Sequence, residues 1–155
     1  MKKIKFSLIY LVIILFLSCT TDSVDELYKE VAVTEMEAEL VTLINNHRTT
    51  IGLKKLQTSN NAYRYAKEHN VYMIQVNDIN YDNFIKRAEG LSSETSATLV
   101  AENVANKYHT ASQILDAWLK SENHKNNIET DFKYTGISIL SNTQGEYYVT
   151  QMLYK

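Results

Sequence analysis

The spacing of apolar residues switches about five-sixths of the way along this chain, from the three-to-four-residue period of a helix to the two-residue period of a strand. That switch constrains the fold class more than any single motif. Residues 35–51 carry Met36, Leu40, Leu43, Ile44 and His47 on one helical face, and Gly52 follows as a helix terminator. Residues 60–76 place Ala62, Tyr65, Ala66, His69, Tyr72, Met73 and Val76 on one face, with Asn60 or Asn61 as the cap. A third helix is predicted from Thr110, a capping hydroxyl, through Ile114, Leu115, Trp118 and Leu119 to Ser121, with a further polar turn over residues 122–128. Residues 134–140 and 146–153 are β-branched and aromatic runs about a turn at Gly145, the pattern of an antiparallel hairpin, and residues 98–101 suit a short strand before Glu102. Helices followed by a terminal hairpin predict an α+β layered domain over residues 35–155.

The N-terminus lies outside that domain. Residues 6–17 form an apolar run preceded by Lys2, Lys3 and Lys5 and followed by Ser18 and Cys19. A spanning helix needs about 20 apolar residues. This run is shorter, and its basic, apolar, small-residue order is that of a secretory signal over residues 1–18. Phe16-Leu17-Ser18-Cys19 resembles the lipobox at which bacterial lipoprotein signals are cleaved and the cysteine acylated. On that reading Cys19 begins the mature chain and holds it to the cell envelope, each buried methylene contributing about 0.8 kcal/mol. Residues 19–34 then form the lipidated cysteine and a polar, acidic tether. The plainer alternative is an ordinary signal peptide with an unmodified cysteine.

Composition removes several function classes. With 45% hydrophobic and 22% charged residues the chain is globular in type. A single cysteine excludes an internal disulfide framework and any multi-cysteine metal site. Without the three lysines of the signal segment, 13 basic groups face 18 acidic ones, a net charge of −5, so nucleic acid is not an expected partner. The 4 glycines form no phosphate-binding loop, and neither a Gly-x-Ser-x-Gly elbow nor a paired-histidine zinc motif is present.

Two constellations carry chemistry. Trp118, Ser121 and His124 recur at three-residue intervals and would share one face if the helix continued through them. Glu102 stands in Ala101-Glu102-Asn103-Val104-Ala105, among small and apolar residues where a carboxylate needs a partner. Glu102 and His124 sharing a cleft would make a general acid-base pair or two metal ligands. The plain alternatives are a core tryptophan, a surface histidine and a carboxylate that only shapes a loop. His47 and His69 fall on inner helical faces as core groups, and His109 is read as exposed.

In order along the chain these segments resemble the CAP or SCP domain family, named for cysteine-rich secretory proteins, antigen 5 and pathogenesis-related proteins, in its short bacterial form. Leu43-Ile44-Asn45-Asn46-His47-Arg48 with Gly52-Leu53 is similar to its opening helix and loop. Ala66-Lys67-Glu68-His69 with Met73 resembles its second helix. Ala101-Glu102-Asn103-Val104-Ala105 is similar to its Gly-Glu-Asn-Ile-Ala signature, and Trp118-x-x-Ser121-x-x-His124-x-x-Asn127-Ile128 to its Trp, Ser, His, Asn-Ile signature. Tyr134-Thr135-Gly136-Ile137 and Tyr148-Val149-Thr150-Gln151 resemble its closing strands.

The resemblance implies an α-β-α sandwich with a small antiparallel sheet between helices and a central cleft. In fuller family members that cleft holds two histidines and two glutamates able to bind a divalent metal. Here Glu102 and His124 keep one of each, Ser121 takes the place of the other glutamate, and Tyr81, in Asn80-Tyr81-Asp82-Asn83-Phe84, takes the place of the other histidine. A phenol is a poor zinc ligand at neutral pH, and two good donors fall short of the three or four that zinc requires. No cofactor is therefore expected, and zinc is expected to bind weakly if at all.

The function so implied is that of an exported, envelope-anchored, non-enzymatic module. It would bind a lipid, glycan, peptide or protein through a cleft containing Tyr81, Glu102, Ser121 and His124. The rival is a hydrolase in which Glu102 orients His124 as general base and Ser121 donates a hydrogen bond or acts as nucleophile. It lacks an identifiable oxyanion hole. A third reading makes the domain an envelope spacer with a vestigial cleft.

Overall fold

The computed structural model describes residues 22–155, with side chains from Thr34 onward. The apolar run of the signal segment and Cys19 lie outside the described residues. In chain order the elements are α1 (Asp22–Thr50), β1 (Gln57–Thr58), α2 (Asn60–Val76), α3 (Phe84–Thr95), β2 (Val100–Asn106), α4 (Ala111–Lys120), α5 (Glu122–Glu129), β3 (Tyr134–Ser141) and β4 (Tyr147–Tyr154). Among the described residues no helix is long and apolar enough to cross a membrane.

The middle layer is a four-stranded sheet in the order β1-β3-β4-β2. β3 and β4 are the expected hairpin, in register from Tyr134 opposite Tyr154 to Ser141 opposite Tyr147. Its turn is organised by Asn142, whose Oδ1 accepts from the amides of Gln144 and Glu146 at 3.0 and 2.9 Å, and by Gly145 at φ +81°. β2 lies antiparallel on the far side of β4. β1 runs parallel to β3, which makes the sheet mixed rather than wholly antiparallel.

Strand alternation assigns the two helical layers. Val149 and Leu153 of β4 and Ile137 and Ile139 of β3 pack with Met36, Leu40 and Ile44 of α1, Ile114, Leu115 and Trp118 of α4, and Ile128 of α5. Tyr148 and Met152, alternating with them, face Ala62, Ala66 and Met73 of α2 and Leu91 of α3. Burying each leucine or isoleucine contributes about 1.5–3 kcal/mol. The result is the expected α-β-α sandwich, with α1, α4 and α5 on one face of the sheet and α2 and α3 on the other.

The structure corrects several local expectations. α1 begins at Asp22, so the segment read as a tether is helical from that residue on. The cap of α2 is Ser59, in extended conformation with its hydroxyl accepting from Ala62, one residue before the expected asparagines. Ser121, at φ −95° and ψ 120°, breaks the chain between α4 and α5, so Trp118, Ser121 and His124 do not lie along one continuous helix. Glu102 lies inside β2 rather than after a short strand. α3 is an addition to the expected elements; its buried residues are Arg87 and Leu91, one of them a cation.

Candidate functional site

Glu102 reaches the site because β2 alternates. It shares the α2/α3 face with Val104, which packs on Met73 and Tyr148. A carboxylate only 4% exposed requires a cation, and Arg87 of α3 supplies one. Its Nε and Nη2 donate to the two carboxylate oxygens at 2.8 and 2.7 Å, a bidentate pair. The remaining Arg87 nitrogen, Nη1, donates to the carbonyl of Asp82 at the start of α3. His69 of α2 lies behind the pair, its Nε2 3.8 Å from Glu102 and donating to the carbonyl of Asn80 at 2.8 Å. Burial holds the His69 pKa below its ordinary value, against the raising effect of Glu102, so the ring is neutral near pH 7. Its Nδ1 is buried without a hydrogen-bond partner.

His124, on α5, is half-buried and shares a 2.6 Å hydrogen bond with the hydroxyl of Tyr81. Burial lowers the His124 pKa. The Tyr81 phenol is raised by burial and then by the charge of Glu102, so both partners are neutral near pH 7. The bond spans from the segment between α2 and α3 to α5, beside a hollow of about 230 Å³ lined by Tyr81, Phe84, Val100, Ala101, Glu102 and Asn127. Among the described residues no hydrogen bond or ion pair joins Glu102 to His124. Ser121 sits at the α4/α5 corner, where its hydroxyl makes no capping bond.

Much of the Trp118-to-Asn127 pattern serves the exposed edge of β2. Trp118 Nε1 donates to the carbonyl of Val104 at 3.0 Å, and Asn127 Nδ2 donates to the carbonyl of Glu102 at 3.1 Å. These side chains satisfy groups that a free sheet edge would otherwise expose. Asn127 also donates to Asn103 Oδ1 at 2.8 Å, and Asn103 donates to Gln151 at 3.1 Å and to the carbonyl of His124 at 3.3 Å. This buried amide chain fixes α5, and with it His124, against the sheet.

Two residues escaped sequence reasoning. Arg87 lies on the unrecognised α3; the signal available was the need of a buried Glu102 for a cation. Arg48 of α1 is fully buried and donates to the carbonyls of Lys54, Ile128, Thr130 and Phe132, closing the C-terminal end of α5. His47, expected in the core, is instead half-buried and pairs with Glu129 of α5 at 2.9 Å. His69 is buried, and His109 exposed, as expected.

The donor set does not suit a divalent ion. Both Glu102 oxygens accept from Arg87, the His124 nitrogen that faces the cleft bonds Tyr81, and the His69 nitrogen nearest Glu102 donates to Asn80. Among the described residues no cluster of three or more His, Cys, Asp or Glu is placed to hold a metal.

A sequence model of the cysteine-rich secretory protein family, CAP, matches residues 41–153. No curated protein matches the chain in sequence. Among solved structures, an outer surface protein from Borrelia burgdorferi superposes with a TM-score of 0.71 at 21% identity, covering 78% of this chain and 92% of that one. An extracellular SCP-domain protein from Bacillus anthracis gives 0.69 at 20% identity over 79% of this chain and 41% of that one. A cysteine-rich secretory protein from Staphylococcus aureus gives 0.62 at 18% identity, over 79% and 39%.

Proposed function

This chain belongs to the cysteine-rich secretory protein (CAP) family, and from that premise we propose that it is an exported, lipid-anchored binding module that holds a ligand in its central cleft without transforming it. The observation that carries this reading is the commitment of both Glu102 oxygens to Arg87 at 2.8 and 2.7 Å. A carboxylate so engaged neither orients His124 nor accepts a proton from it, and His124 is itself bonded to Tyr81 across the cleft mouth. The arrangement is rigid, neutral and partly apolar, which suits holding a ligand more than general acid-base catalysis. The hydrolase alternative requires Glu102 to leave Arg87 and Tyr81 to release His124.

Export is supported by the basic-then-apolar N-terminus and by the solved relatives, which are described as outer-surface, extracellular and secretory proteins. Anchoring at Cys19 is supported by the Phe16-Leu17-Ser18-Cys19 pattern alone. The ligand class spans lipids, glycans, peptides and proteins. Native mass spectrometry of the protein taken from its own envelope tests the reading. A retained ligand mass that Tyr81→Ala releases supports it. Turnover of generic ester, peptide or glycoside substrates that His124→Ala abolishes overturns it.

A further inference from the structure

A second hollow, about 610 Å³ in volume, runs between α2 and α3, with His69 and Arg87 among its lining residues. Tyr65 and Tyr72 stand seven residues apart on α2, hence two turns, or about 10.5 Å, along one face of the helix. Both rings are fixed through their hydroxyls, which donate to Glu94 and Asp82 at 2.9 and 2.8 Å. Arg64 lies 4.4 Å over the Tyr65 ring, and Tyr72 stacks on His69 at 6.1 Å. α3 comes this close only because Gly90 faces Tyr65, where an added Cβ would fall 2.4 Å from the phenol oxygen. On the α3 wall Asn83, Lys86 and Glu89 are exposed, and among the described residues their side chains make no hydrogen bond or ion pair.

We propose that this groove is a glycan-binding surface, separate from the Tyr81 cleft, in which the rings of Tyr65 and Tyr72 receive successive sugar units of an extended, uncharged chain. The tyrosine spacing is roughly the length of a disaccharide. Pinned aromatic rings present apolar surface at little entropic cost, as the apolar faces of sugar rings require. Between them stand unpaired donors and acceptors of both kinds, suited to sugar hydroxyls. The lining contradicts the other ligand classes. Four charged side chains, two acidic and two basic, interrupt any continuous apolar track for an acyl chain and nearly cancel in charge. Both walls are helices whose backbone groups are already bonded, so an extended peptide finds no strand edge to join.

Titration calorimetry of the full chain with a beta-linked tetrasaccharide of N-acetylglucosamine, and with maltotetraose, tests the assignment. Saturable binding to at least one of them is expected, weakened about tenfold or more by Tyr72→Ala. Lys86→Ala, at an exposed and unpaired position, is expected to weaken it as well without unfolding the domain. Lys120→Ala on α4, across the sheet, is expected to leave it unchanged. Absence of binding to either sugar, or binding that Tyr72→Ala and Lys86→Ala leave intact, overturns the proposal. Either result leaves the cleft reading untouched, because that reading is decided at Tyr81.

Discussion

Arg87 closes both oxygens of Glu102 with Nε and Nη2 at 2.8 and 2.7 Å, in a position where the Glu102 side chain has no solvent exposure and that of Arg87 only 9%. The pair links α3 to β2 and thereby shapes the wall shared by the two hollows. Removing one partner leaves the other charged and buried. Arg87→Ala is therefore expected to destabilise the domain by about 3–5 kcal/mol in urea denaturation. The double change Arg87→Met with Glu102→Gln is expected to cost clearly less than the two single changes added together. Additive losses would mean that the two residues do not stabilise one another.

The same pair governs metal binding. Zinc calorimetry at neutral pH is expected to show no tight binding to the native chain, because Arg87 holds the carboxylate that the cleft would offer to a metal alongside His124. Tyr81→His alone adds an imidazole but frees no carboxylate, so it is expected to change little. Tyr81→His combined with Arg87→Met is expected to gain zinc affinity. Tight binding by the native chain that His124→Ala removes would refute this account.

How the sequence disclosed the site follows from the same contacts. Glu102 and His124 were legible because their motifs are local and chemically distinctive, and Tyr81 only through the resemblance of Asn80-Tyr81-Asp82-Asn83-Phe84 to the family's pattern. Arg87 was hidden because α3 inverts the usual rule at two positions: a cation, Arg87, takes one of its buried places, while an apolar residue, Ile85, is 67% exposed. The alternation of β2 was hidden for a different reason. Helices cover both of its faces, so Glu102 and Val104 on one side and Asn103 and Ala105 on the other are all buried. Trp118 was correctly read as core, but its donation to the Val104 carbonyl depends on where β2 ends, which spacing along α4 does not reveal.

Acidity provides an independent test on the opposite edge of the sheet. Glu37 of α1 accepts from the amide of Ile139 on β3 at 2.7 Å, yet burial pushes its pKa up from 4.5 to about 7. Between those values the folded state keeps a proton that the unfolded state has lost. The contribution of Glu37 is thus complete below pH 4.5 and lost as pH rises through about 7. Discounted for solvent screening at this half-buried position, the loss is about 1 kcal/mol. Glu37→Gln keeps the acceptor and removes the ionisation, so its urea midpoint is expected to fall less than the native one between acidic and mildly alkaline buffer. Burial lowers the pKa values of His69 and His124, which destabilises the fold on acidification, but both are present in either protein and cancel in the comparison. Parallel pH profiles would refute the assignment.

Gly136 marks where α2 crosses the sheet most closely. A Cβ there would fall 2.0 Å from the backbone nitrogen of Tyr63 and 2.4 Å from the carbonyl carbon of Ala62. Those atoms belong to the first turn of α2 and do not yield as the end of a long side chain would. Gly136→Ala therefore has to push the helix off β3, opening contacts that Ala62 and Ala66 make with Met152. The helix start is also pinned to the sheet by Ser59, whose amide donates to Thr135 at 2.8 Å and whose hydroxyl accepts from Tyr154 at 3.0 Å. The expected cost is about 3 kcal/mol or more, at the severe end for a single substitution, read as a fall in Tm of at least about 8 °C. Gly52→Ala provides the contrast. Its Cβ would meet nothing within 4 Å, but φ +82° carries a local backbone penalty of about 1 kcal/mol. A Gly136→Ala protein no less stable than Gly52→Ala would show that α2 does not approach β3 as closely as these contacts require.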